Sequence, residues 1–214
     1  MLLISDPNVL RVLIQESGEE LVDLRTVKEL FCDKRKASVS RSSLSVRISV
    51  AEKLITAQQN LPNGARLLII EGHRPLTLQK EYFEEYSNEL KGLHPEWNSD
   101  KVYQEASKYV APPETVPPHS TGGAIDVTLA SSTGAEFDLG TRVNADPGES
   151  NNACFTDASN ISAEAKSNRE VLMHTMLSAG FVNYPCEWWH WSYGDRYWAY
   201  VSEKKMAIYN SIHE

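Results

Sequence analysis

The chain has 214 residues, 41% of them hydrophobic and 23% charged, with a formal net charge of −8. That length fits one large domain over residues 1–214 or, less comfortably, two small ones. The acidic balance argues against a nucleic-acid partner, which needs a basic face, and against adsorption on anionic lipid.

Met1-Leu2-Leu3-Ile4-Ser5-Asp6-Pro7 has no positive region and only a short apolar run, so it does not read as a leader, and no apolar segment is long enough to span a bilayer. Cys32, Cys154 and Cys186 are few, odd in number and free of any C-x-x-C pattern, which points to a reducing compartment.

Apolar runs at 8–13 and 20–28 read as two small edge elements, or a strand and a turn. Lys34-Arg35-Lys36 reads as a solvated loop. Residues 44–50 alternate apolar and polar, but Val50, Leu54, Ala57 and Leu61 recur at helical intervals. This spacing predicts a helix from about Ser45 to Gln59, ambiguous in its first turn and ended by Leu61-Pro62-Asn63-Gly64. Ala65 to Glu71 is a compact apolar run, a buried strand leading into Gly72-His73-Arg74-Pro75.

Thr77 to Leu90 predicts an amphipathic helix with Leu78, Tyr82, Tyr86 and Leu90 on one stripe, and Asn98 to Val110 predicts another. Four prolines between Ala111 and Pro118 make a stiff connector that delivers His119. Ala124 to Leu129 is a strand: Ile125, Val127 and Leu129 point one way, Asp126 the other, towards a cleft or solvent. Residues 130–160 lack periodicity, and a loop that long is expected to shape a substrate site. Ser162 is an N-cap, Val171, Leu172, Met173, Met176 and Leu177 are expected in the core, and Gly180 closes the helix. Aromatic runs Cys186–Tyr193 and Tyr197–Val201 flank Gly194-Asp195-Arg196 and predict a hairpin. The short tail after Glu203 allows a helix.

Two stretches carry the chemistry. Pro118 to Asp126 sets His119 and Asp126 seven residues apart, with Gly122 and Gly123 between them letting the backbone bend closely. Glu187-Trp188-Trp189-His190 sets a Glu three residues before a His. Two imidazoles and one carboxylate, from His119, Asp126 and His190, make a three-ligand zinc site with a fourth position open for water, the catalytic rather than the structural pattern. Glu187 is then the candidate general base. In a regular strand, residues three apart face opposite sides, so Glu187 must sit in the bend before the strand or be re-aimed by a bulge. His73, His94, His174 and His213 read as structural or surface residues. Trp188, Trp189, Trp191, Tyr193, Tyr197 and Trp198 read as core, with one Trp walling the pocket, and Cys186 as a buried free thiol. Arg74, at a strand end before Pro75, suits an oxyanion contact or a plain salt bridge.

Together, His119-x-x-Gly-x-Ala-x-Asp126, Glu187-Trp188-Trp189-His190 and Gly72-x-Arg74-Pro75 resemble the zinc-dependent D-alanyl-D-alanine dipeptidases. That family includes the vancomycin-resistance dipeptidase and belongs to the D,D-peptidase group that shares a fold with the hedgehog signalling domain. The resemblance covers roughly residues 45–202. It implies an α+β fold with a central, mostly antiparallel sheet flanked by helices and the site in a cleft. It implies one Zn2+ per chain on His119, Asp126 and His190, with Glu187 activating the zinc-bound water and Arg74 stabilising the oxyanion. The expected reaction is hydrolysis of D-Ala-D-Ala in peptidoglycan metabolism, in the cytoplasm, or in the periplasm if a leader has been removed. The expected partner is a small D-amino-acid peptide, with no nucleic acid and no membrane; a homo-oligomer stays open.

Two departures bear on substrate. Pro117 stands where members commonly have Ser. Asn144 stands where an acidic residue holds the substrate's free amino group, and Asp138 or Asp146 are the available substitutes. Two other readings remain: a D,D- or L,D-carboxypeptidase or endopeptidase on longer peptidoglycan peptides, and a non-catalytic zinc-bearing binding domain.

Overall fold

The chain forms, in order, α1 (Pro7–Leu10), β1 (Leu13–Ile14), β2 (Leu21–Asp23), β3 (Phe31–Cys32), β4 (Ser45–Arg47), α2 (Ile48–Gln59), β5 (Ala65–Glu71), α3 (Leu76–Leu93), α4 (Ser99–Ala106), β6 (Ala124–Ser131), α5 (Ala163–Ser178), β7 (Val182–Tyr184), β8 (Glu187–Ser192), α6 (Arg196–Val201) and β9 (Met206–Ala207). The computed structural model describes residues 1–35 and 40–213.

The fold is α+β. Its main sheet has the order β3-β5-β6-β8-β7, antiparallel except for the β3–β5 pair. Ile125, Val127 and Leu129 join Leu54 and Ala57 of α2 and Leu172 and Met176 of α5 in the larger core. Each fully buried Leu, Ile, Val or Met side chain here contributes about 1.5–3 kcal/mol relative to exposure. A second apolar cluster gathers Val9, Tyr184, Tyr197, Trp198 and Ala207 from α1, β7, α6 and β9. The face of β6 opposite Ile125 carries Asp126, which stands across from Glu71 on β5 and from His190 on β8. No helix among the described residues is long and apolar enough to cross a membrane.

Several local expectations shift in the folded chain. The helix over Ser45–Gln59 begins only at Ile48, because Ser45–Arg47 pairs with β2 as a strand. The run 8–13 divides between α1 and β1, and 20–28 between β2 and a 3₁₀ turn at Leu24–Thr26. Of the basic run, Lys36 lies outside the described residues, while Arg35 pairs with Asp33 at 2.8 Å and also with Glu136. In α3 the one fully buried residue is Gln79, and the stripe of Leu78, Tyr82, Tyr86 and Leu90 is half-buried. Helix α4 stops at Ala106, where the Ser107 hydroxyl turns back to donate to the Tyr103 carbonyl at 2.6 Å. The Pro-rich connector resolves into two 3₁₀ turns, Pro113–Thr115 and Pro118–Thr121.

Helix α5 is capped by Ser162, whose hydroxyl accepts from Ala165 N at 3.0 Å, and Gly180 follows it at φ 89°. Leu177, expected in the core, is 50% exposed, whereas Arg169 and Thr175 are buried. The expected hairpin over 186–201 does not form. Asp195 accepts from Trp198 N at 2.8 Å and starts α6, so the cap outweighs the strand preference of the aromatics. The hairpin partner of β8 is β7. After Glu203 the tail forms no helix: Met206–Ala207 pairs in parallel with Leu13–Ile14.

Candidate metal centre

His119 enters the site from a turn. The 3₁₀ turn Pro118–Thr121 ends at Gly122 in the left-handed region, φ 71°, where a β-carbon would be strained. The ring is then locked by its own backbone neighbourhood: His119 Nδ1 lies 2.7 Å from the Gly72 carbonyl, which leaves Nε2 as the free lone pair. Gly72 is required there for space, because a Cβ would come within 2.5 Å of the Ser45 carbonyl oxygen.

Strand register supplies the other two groups. Asp126 and His190 are directly opposed residues on β6 and β8, and opposed side chains start with Cβ atoms about 4.5–5.5 Å apart. His119 Nε2 lies 3.1 Å from His190 Nδ1 and 3.3 Å from Asp126 Oδ1, and His190 Nδ1 lies 3.2 Å from the same oxygen. All three residues are buried, at 5%, 2% and 4% exposure for His119, Asp126 and His190. Burial alone would raise the Asp126 carboxyl, but the two imidazoles more than offset it and hold it well below the ordinary carboxylate range. Donors about 2.0–2.1 Å from one tetrahedral ion stand roughly 3.3 Å from one another, so this triangle and its two-imidazole, one-carboxylate chemistry fit a zinc-type ion. Among the described residues it is the group of His, Cys, Asp or Glu side chains that can hold a metal.

Glu187 reaches the same place through an irregularity in the β7–β8 ladder. Tyr184 pairs with Glu187 while Asn183 pairs with Trp191, so β8 carries extra residues between them. The Asn183 amide stands in for missing backbone donors, giving hydrogen bonds to the carbonyls of Glu187 at 3.2 Å and His190 at 3.0 Å. The bulge re-aims Glu187, whose Oε2 lies 3.9 Å from His190 Nδ1.

Arg74 forms the salt bridge of one of its two readings. Its Nε and Nη2 each donate to Glu71 at 2.8 Å, and Nη1 donates to Gln79 at 3.0 Å. Burial works against its charge, and the Glu71 carboxylate more than restores it. Two N–H groups remain, and the side chain lines the cleft.

The cleft encloses about 500 Å³ and is bounded by the triangle, Glu187, Arg74, Tyr82, Tyr86 and Tyr109, the loop residues Asn144, Asp146 and Cys154, and Trp189. Asn144 sits at φ 59° on its exposed rim. Asp138 is elsewhere, accepting from Gly140 N and the Ser162 hydroxyl. The loop owes its shape to Arg169, which donates to the carbonyls of Leu139, Ala153, Phe155 and Thr156. Trp188 Nε1 ties Thr141 down at 2.8 Å.

His73 is buried against Ser42, and desolvation, with His119 and Arg47 nearby, lowers its pKa to about 4. His94 stacks on Trp97, while His174 and His213 are exposed. Cys186 is a free buried thiol that burial pushes up to about 11, and so is unreactive. Sequence reasoning missed Gln79, Asn183 and Arg169. The E-x-x-R-P spacing hinted at a Glu71–Arg74 pair, but nothing local marks Asn183 or Arg169.

Comparison with known proteins gives a concordant result. The model of a peptidase family described as D-Ala-D-Ala dipeptidase (Peptidase M15) matches residues 28–209. A D-alanyl-D-alanine dipeptidase of Synechocystis sp. is 31% identical, covering 95% of this chain and 96% of the relative. A D-alanyl-D-alanine dipeptidase of Enterococcus faecium is 31% identical over 66% of this chain and 69% of its own. Among solved structures, the LdcB LD-carboxypeptidase is similar with a TM-score of 0.47 and 19% identity, over 87% of this chain and 73% of that one.

Proposed function

The chain belongs to the D-Ala-D-Ala dipeptidase family and is a metallopeptidase; from that premise we propose that it hydrolyses the D-alanyl-D-alanine dipeptide, with one zinc ion held by His119, Asp126 and His190. The observation that carries this reading is the triangle of donor atoms 3.1–3.3 Å apart with the Glu187 carboxylate 3.9 Å from its His190 corner. When bound, zinc supplies a Lewis acid and lowers the pKa of a water to about 7. Glu187 accepts the proton of the attacking water and delivers it to the leaving amine, a role worth about 10²–10⁴-fold. Arg74, held still by Glu71 and Gln79, turns its remaining N–H groups to the oxyanion. Asp146 lines the cleft and Asp138 does not, so the substrate ammonium falls to Asp146, with Asn144 as a neutral neighbour. Three free cysteines favour a reducing compartment, the cytoplasm.

The test is hydrolysis of D-Ala-D-Ala with and without chelator. Glu187→Ala is expected to keep one zinc per chain and to lose at least 100-fold in kcat; a loss of less than tenfold refutes the base. His119→Ala is expected to lose the metal, and full zinc occupancy in that variant refutes the ligand.

One observation favours a longer substrate. The cleft is lined along α3 from Gln79 to Glu89, which is about 15 Å at 1.5 Å per residue, whereas an extended dipeptide spans about 7 Å. Faster cleavage of longer or N-blocked peptides than of the free dipeptide decides for the carboxypeptidase reading.

A further inference from the structure

Along and just after β8, three buried polar atoms have no partner among the described residues: His190 Nε2, Ser192 Oγ and Asp195 Oδ2. Their residues are 4%, 0% and 1% exposed respectively. An orphaned buried polar group forfeits its hydration with nothing in return, so three in one neighbourhood call for an explanation. The backbone brings them together. His190 opposes Asp126 and Ser192 opposes Ala124, so both side chains leave β8 on the face that carries the metal-site groups. Asp195 follows at the turn into α6, where its Oδ1 is committed to Trp198 N at 2.8 Å, leaving Oδ2. Burial pushes the Asp195 carboxyl up, and the Ser192 hydroxyl and the His190 and His119 rings lie close enough to work against that. The chemistry is complementary: His190 Nδ1 faces Asp126 and His119, so a metal held there by Nδ1 leaves the proton on Nε2, a pure donor, while a hydroxyl both accepts and donates and a carboxylate oxygen accepts.

We propose that Asp195 is a positioning residue for His190, acting through the Ser192 hydroxyl: His190 Nε2–H donates to Ser192 Oγ, and Ser192 Oγ–H donates to Asp195 Oδ2. This chain fixes the tautomer that presents Nδ1 to the metal and raises the basicity of that nitrogen. His119 is held by the Gly72 carbonyl in the same sense, so each imidazole has its own outer partner. The proposal rests on His190 being a metal ligand.

The experiment measures zinc affinity by chelator competition on the full chain, together with the ¹H and ¹⁵N resonances of His190 Nε2–H in the zinc-loaded protein. Ser192→Ala and Asp195→Asn are compared with the unsubstituted chain. Asn caps a helix as well as Asp, so Asp195→Asn spares α6. Each variant is expected to bind zinc about 10–100-fold more weakly, with an upfield shift of the Nε2–H proton and an unchanged melting temperature of the metal-free protein. Zinc affinity within twofold and an unmoved Nε2–H resonance in both variants overturn the proposal. Equal loss of melting temperature in the metal-free protein, without a resonance shift, assigns Ser192 and Asp195 to folding alone and also overturns it. If the unsubstituted chain takes up no zinc, the metal-site reading fails first and the proposal goes with it.

Discussion

Arg74 carries five N–H donors, and the fold commits three of them before any substrate arrives, two to Glu71 and one to Gln79. Gln79 is itself held, donating to the Ala111 carbonyl at 2.7 Å. A guanidinium fixed in this way loses little freedom when its last donors meet a developing oxyanion, which is the condition for electrostatic preorganisation. Lysine has the charge but not the fork, so it cannot keep the Glu71 and Gln79 contacts and reach the cleft together. Arg74→Lys is therefore expected to lower kcat on D-Ala-D-Ala about 10²–10³-fold with a smaller change in KM. Steady-state kinetics check this, and a kcat within threefold of the unsubstituted enzyme removes Arg74 from the reaction.

Among the elements, the irregular ones do the most to build the cleft. A regular β8 would send Glu187 and His190 to opposite faces; the bulge stapled by Asn183 brings them to one. Past the end of β6 at Ser131, the loop to residue 160 has one isolated bridge, Glu136 with Ala130, so many of its carbonyls need other donors. Arg169 of α5 supplies four of them from a side chain 4% exposed. Methionine matches its length and leaves those carbonyls unpaired. Arg169→Met is expected to destabilise the fold by roughly 2–4 kcal/mol and to speed amide exchange in residues 139–156 before the rest of the chain. Raised KM should accompany it, since Asn144 and Asp146 lie on that loop. Exchange that stays uniform across the molecule sinks this account of the loop.

At the scale of the whole molecule, the site joins parts that are distant in sequence. His119 comes from a turn, Asp126 from β6 and His190 from β8, so a metal held by the three would bind the folded chain only. Ligands that bind the native state stabilise it by about 2.7 kcal/mol at a hundredfold excess over Kd. For a chain of this size, that is roughly 5–10 °C in melting temperature. Removing zinc with a chelator is expected to lower the melting temperature by that amount in the unsubstituted chain and hardly at all in His190→Ala. A chelator-insensitive unsubstituted protein contradicts a folded-state metal site.

Much of this was legible in the residues. The Pro-rich run before His119, the period-two pattern that turns Asp126 away from Ile125 and Val127 and the Ser162 cap are all short-range signals, set by backbone sterics, alternation and capping within a few positions. Such signals fix which side chains are available and which way each leaves its own element. They do not fix which strands lie side by side. Whether Asp126 meets His190 depends on a β6–β8 register between residues 64 positions apart. The same holds for Arg169 beneath the loop and for Asp195, whose cap turned an expected hairpin strand into α6. The sequence determined the reagents, and only tertiary pairing decided their assembly, because hydrogen-bond register and core packing are settled by contacts that no local window contains.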